Sequence, residues 1–211
     1  MRNQNYSKSR TLHGDINFKK VHFGIIKQTV EKEMYPLEDG YMPVSAYTLI
    51  AWEGLQNNEY EWTKNFIEKY KKMVRPDKVN NAYNISMATY YYRTHDYDMS
   101  LKLFSKVKTE DYSDSLTIKN YLLKIYFETG QYEAAQNNVD TFRHFLNSNK
   151  LIPDYASIRY ISYISFMGRI INSVLKKDSI NLINIRNEIN KATNLENRLW
   201  MIEQLDNLLK T

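Results

Sequence analysis

Gln56-Asn57-Asn58-Glu59-Tyr60, Arg93-Thr94-His95-Asp96-Tyr97 and Glu128-Thr129-Gly130-Gln131-Tyr132 are three versions of one short turn that ends in tyrosine. Their tyrosines stand 37 and 35 residues apart, close to the ~34-residue period of helix-turn-helix repeats. Three residues past each tyrosine comes a small side chain, Thr63, Ser100 and Ala135, and four further on an apolar one, Ile67, Phe104 and Val139. A small residue lets two helices approach, and the apolar residue one turn later fills the space between them.

Around these turns the chain reads as helix. Phe18, Val21, His22, Ile25, Ile26, Thr29, Val30 and Met34 recur at steps of three and four, which places them on one helical face. Pro36, Gly40 and Pro43 end that helix, and further helices are predicted at 44–57, 59–73, 78–94, 97–108, 114–129, 131–147, 154–177, 179–192 and 194–210. Gly130 suits a left-handed helix end, while Pro76-Asp77, Pro153-Asp154 and Asp178-Ser179 suit helix starts. No segment alternates with period two for long enough to require a strand.

Composition agrees. The 211 residues are 43% hydrophobic and 25% charged, with only 6 Gly and 4 Pro, too little turn material for a sandwich or barrel. The absence of cysteine excludes disulfides, thiolate metal sites and a cysteine nucleophile. The polar N-terminal stretch lacks the apolar core of a secretory signal, and no apolar run reaches ~18 to 20 residues, so a cytoplasmic protein without a membrane span is expected.

The repeat positions resemble the tetratricopeptide-repeat pattern. In that family the first helix of a pair carries an apolar residue, a small residue and then an aromatic. Here it reads Ile50-Ala51 with Gly54, Met87-Ala88 with Tyr91, and Leu122-Leu123 with Tyr126. Gly54 departs from the aromatic, and Pro76 alone approaches the repeat-ending proline.

The resemblance implies an all-α fold, a right-handed superhelix of stacked antiparallel helix pairs with about nine helices. Its clearest repeats lie at 44–76, 78–112 and 114–147, with degenerate helices over 154–211. On this reading residues 1–17 are a basic, disordered tail and 18–211 a single domain. The stretch Tyr121 to Tyr160 also resembles the C-terminal part of long, uncharacterised bacterial proteins built from such repeats. That likeness makes the chain a short relative or a C-terminal piece, and its N-terminal helix would expose a face for association with a neighbour.

Chemistry is sparse. The glycines are too scattered for a phosphate loop, and His13, His22, His95 and His144 form no i, i+4 zinc pair, so no cofactor or metal is expected. His22 sits on an apolar face, as a satisfied buried histidine would, and His144 stands four residues after Asp140, in reach of an ordinary side-chain pair. Carboxylates at 59/61, 96/98 and 110/111/114 fall at helix starts, where they cap open amides. The stripe Trp62, Phe66, Tyr70 and Met73 has core spacing. Without a serine elbow or a carboxylate pair in a cleft, no catalytic residue is expected.

In tetratricopeptide repeats the first helix of each pair lines the concave surface. The resemblance transfers that face to Thr48, Trp52 and Leu55, then Ile85, Thr89, Tyr92 and Arg93, then Asn120, Lys124 and Phe127. Aromatic anchors beside basic and amide groups suit a protein or peptide partner. The competing role for Trp52 and Phe127 is packing between repeats.

Single-stranded RNA readers also use repeats near 35 residues, but they need recurring polar residues at equivalent positions. Thr48, Ile85 and Asn120 change character instead, as do Tyr47, Asn84 and Lys119. A regulatory or sensory arm of a longer protein is a third reading. The net charge of +5 divides into +4 over residues 1–20, −3 over 21–142 and +4 over 143–211. The repeat body is therefore slightly acidic, which disfavours nucleic acid.

Overall fold

The computed structural model describes residues 16–109 and 111–210, and the basic tail read over residues 1–17 lies outside them except for Ile16 and Asn17. Among the described residues there are ten α-helices, a single 3-10 turn at Lys71–Met73 and no strand beyond an isolated bridge between Glu38 and Tyr41. The chain divides into two compact units, one ending at Lys108 and one starting at Thr109.

The first unit contains α1 (Ile16–Glu31), α2 (Val44–Gln56), α3 (Tyr60–Tyr70), α4 (Val79–Arg93) and α5 (Tyr97–Phe104). Here α2 packs on α3 and α4, α4 packs on α5, and α1 lies against α2. The second unit contains α6 (Tyr112–Glu128), α7 (Tyr132–Ser148), α8 (Asp154–Leu175), α9 (Ser179–Lys191) and α10 (Arg198–Leu208), each packed on the next.

The three tyrosine-ended turns are one structure. Asn58, His95 and Gly130 take φ of 60°, 61° and 71°. The following amide, of Glu59, Asp96 or Gln131, donates to the carbonyl five residues back at 3.0, 2.9 and 2.8 Å. The left-handed residue donates three residues back at 3.1 to 3.2 Å. This double closure satisfies carbonyls that a helix end leaves open. A fourth copy, with Lys177 at φ 55° and Asp178 bonded to Ser173 at 2.9 Å, joins α8 to α9. Its sequence escapes the pattern because Ser179 replaces the tyrosine.

Behind each of the first three corners the small residue is fully buried. Thr63, Ser100 and Ala135 are all 0% exposed, and the hydroxyls close onto carbonyls, Thr63 to Glu59 at 2.7 Å and Ser100 to Ala88 at 2.9 Å. Gly54 is explained at the same place. A Cβ there would lie 2.2 Å from Thr63 Oγ1 and 3.3 Å from Trp62 Cε3, so α2 and α3 meet too closely for any side chain. Gly54→Ala is expected to destabilise the chain by about 1–3 kcal/mol, the usual cost of overpacking. Adding Thr63→Ala is expected to restore most of it in urea unfolding. A double variant no better than the single one would show that the clash lies elsewhere.

Several boundaries move. The helix predicted at 59–73 tightens into the 3-10 turn after Tyr70, and α5 ends at Phe104 rather than 108. The helix predicted from 194 begins at Arg198, after an irregular Ala192–Asn197 segment. Of the capping carboxylates, Asp96, Asp111 and Asp178 accept from Met99, Ser113 and Asn181 amides. Glu59 makes no cap bond and pairs with Lys27 at 3.1 Å instead, and Asp77 gives way to Lys78 as the residue before α4. Glu110 lies outside the described residues.

Candidate functional site

In the first unit the predicted face is only partly open. Trp52 is 45% exposed and shares its side of α2 with Leu49, also 45% exposed. Thr48 is half-buried, its hydroxyl closed onto Val44 O at 2.9 Å. Leu55 and Ile85 of the same transferred face are buried. On α4, Thr89 is buried and bonds Ile85 O at 2.9 Å, and Tyr92 is buried with its ring 6.0 Å from Tyr97. Arg93 reaches across the corner, donating from Nη2 to Leu55 O at 3.3 Å and Asn58 Oδ1 at 3.2 Å. Its guanidinium therefore braces the α2–α3 turn.

A buried polar contact that periodicity did not reveal joins α1 to α2. His22 Nε2 of α1 sits 3.3 Å from Glu53 Oε1 of α2, with side chains only 5% and 7% exposed. Lys19 is close by, its pKa lowered by burial first and by Arg93 second, with Glu53 opposing. The structure thus gives His22 the satisfied, buried role expected of it and supplies the partner. Asp140 takes Arg143 at 3.1 Å, three residues on, rather than His144.

In the second unit all three predicted residues are engaged by the start of α10. Asn120 Oδ1 accepts from Asn197 Nδ2 at 2.7 Å. Lys124 Nζ lies 5.1 Å from the Trp200 ring centre, and Phe127, 4% exposed, meets Trp200 edge-on at 5.9 Å and Tyr132 at 5.6 Å. The Trp200 indole N–H donates to Glu128 Oε1 at 2.5 Å, and Tyr163 of α8 approaches its ring at 6.4 Å. Phe127 belongs to the hydrophobic core of this unit.

Among the described residues no three His, Asp or Glu side chains converge as metal ligands would. A shallow depression of about 580 Å³ is lined by Asp39, Tyr41, Arg75, Pro76 and Asp77, where Arg75 is already paired with Asp77 at 3.1 Å. No helix among the described residues is long and apolar enough to cross a membrane. No family model, no curated protein and no solved structure matches the chain.

Proposed function

We propose that this chain is a non-catalytic scaffold of tetratricopeptide-like repeats that binds a protein or peptide partner through the face of its first helices that the repeat resemblance makes concave. The supporting observation is Trp52. It stands 45% exposed on a helix whose neighbours Tyr47, Ala51 and Leu55 are at most 1% exposed. A tryptophan left at the surface beside Leu49 provides a large rigid anchor with little conformational entropy to lose, the residue type that dominates interface hot spots. The stacked-pair superhelix and the cytoplasmic setting belong to the same proposal.

The test is affinity capture from native lysate with the wild-type chain and with Trp52→Ala. A stoichiometric protein partner is expected with the former and at least a tenfold loss with the latter. Thermal stability should stay within about 0.5 kcal/mol, as for surface substitutions in general. Recovery of single-stranded RNA instead of protein would favour the nucleic-acid reading. Equal recovery of the same protein by both chains would place the interface elsewhere.

A further inference from the structure

We propose that the outward face at the start of α8 is a contact through which two copies of this chain pair, antiparallel, about a twofold axis at Ile158. Leu151, just before the helix, and Tyr155, Ile158 and Ile161 on it are 75%, 71%, 55% and 40% exposed. The rest of α8 is engaged. Its inward residues Tyr163, Ile164, Met167 and Ile171 belong to the core of the second unit, where α8 packs on α7 and α9. Beyond Ile161 the outward face turns polar, with Ser165, Arg169 and Asn172, and Arg169 is paired with Glu188 at 2.6 Å. The apolar patch is therefore confined to one end of one helix, and it lies in the second unit, whereas Trp52 lies in the first.

The spacing points to a second copy as the occupant. Tyr155, Ile158 and Ile161 stand at steps of three, an inclined row on the helix surface that is symmetric about Ile158. In an antiparallel pair with the axis at Ile158, that residue meets its own copy and Tyr155 meets Ile161 of the second copy. The row thus covers itself, as an isologous contact requires. The charges nearest the axis fit the same register. Asp154 falls opposite Ser162, a hydroxyl donor for its carboxylate, and Arg159 falls opposite Ser157 and is held by Glu196 at 2.8 Å, so like charges do not meet. The area also suffices. The four exposures amount to roughly 450 Å² of apolar surface per copy, in the range of patches that serve a function. Two copies with their serine and aspartate rim reach about 1,000 Å², the lower bound for a specific interface. A contact of that size implies a reversible dimer with a Kd on the order of 10 μM.

The chain has no cysteine, so a single introduced thiol reports the axis directly. Ile158→Cys should form an intermolecular disulfide under mild oxidation at least tenfold faster than Ile180→Cys, a control on α9 that is more exposed, at 75%, but stands off the row. Side chains facing each other at a twofold axis bring their Cα atoms toward the ~4.4–6.8 Å that a disulfide spans, whereas thiols that merely collide react according to exposure. Sedimentation equilibrium of the wild type, from low to several hundred micromolar, should show a monomer–dimer equilibrium. Ile158→Asp should weaken it at least tenfold with an unchanged far-UV circular dichroism spectrum, and Leu199→Asp, at an exposed position on α10, should leave it unchanged.

A wild type that stays monomeric at several hundred micromolar overturns the proposal, including the case in which a different protein covers the patch, and leaves the Trp52 reading standing. Equal cross-linking at positions 158 and 180 overturns it as well. So does a dimer that Ile158→Asp leaves intact, because the contact then lies elsewhere. If Ile158→Asp does not fold, the cysteine rates decide, since Ile158→Cys puts a small, weakly polar side chain at an exposed position.

Discussion

Glu53→Ala is expected to cost about 3 kcal/mol, at the upper end of the penalty for leaving a buried hydrogen-bonding group without its partner. The carboxylate lies 3.3 Å from His22 Nε2, and both side chains are under a tenth exposed, so its loss leaves an imidazole in a cavity without its acceptor. Lys19 and Arg93 stand nearby, and removing the negative charge also leaves their repulsion unopposed. Glu53→Gln keeps an acceptor for the ring and should lose only about 1 kcal/mol, the net worth of a typical hydrogen bond. A cycle with His22→Leu separates the pair from simple burial. Coupling below about 0.5 kcal/mol would mean that α1 is held to α2 by packing alone.

Phe127→Ala is expected to destabilise the chain by about 3–5 kcal/mol, as aromatic truncations in a core do. The ring is 4% exposed and meets both Tyr132 and Trp200, so truncation opens a cavity in the core beside both rings. Trp52, on the same transferred face but in the register of Lys124 rather than of Phe127, should behave in the opposite way, with binding lost and stability kept. Urea unfolding of the two variants side by side measures this contrast. Near-equal losses would mean that the two first helices play the same structural role.

The corners were legible because their chemistry is local. A turn ending in tyrosine, with a small and an apolar residue at fixed offsets, marks all three corners and the burial of Thr63, Ser100 and Ala135, but only Gly130 announces a left-handed residue, and Asn58 and His95 take that conformation without glycine. Lys176 to Ser179 repeats the backbone without the tyrosine, so the same geometry passed unseen. Local rules also misjudged Glu59, which sits where a cap is expected but bonds Lys27 of α1, 32 residues away.

The candidate site was less legible, because its state depends on distant segments. Helical spacing puts Asn120, Lys124 and Phe127 on one face, but nothing in that spacing announces that Asn197 and Trp200, more than 70 residues on, will cover it. One signal was present. A tryptophan N–H on a packed helix needs an acceptor, and Glu128 at the end of α6 was an available carboxylate. Glu53 was a second such signal, a charged residue in the run Ile50 to Leu55 whose burial requires a partner.

The most direct measurement of the binding claim is site-specific photo-crosslinking in the cell. A photoreactive phenylalanine derivative is placed at Trp52 and, as a control, at exposed His144 of α7. One dominant protein adduct at position 52, absent at position 144, is the result predicted. No adduct at position 52, an adduct with RNA, or the same set of adducts at both positions would contradict it.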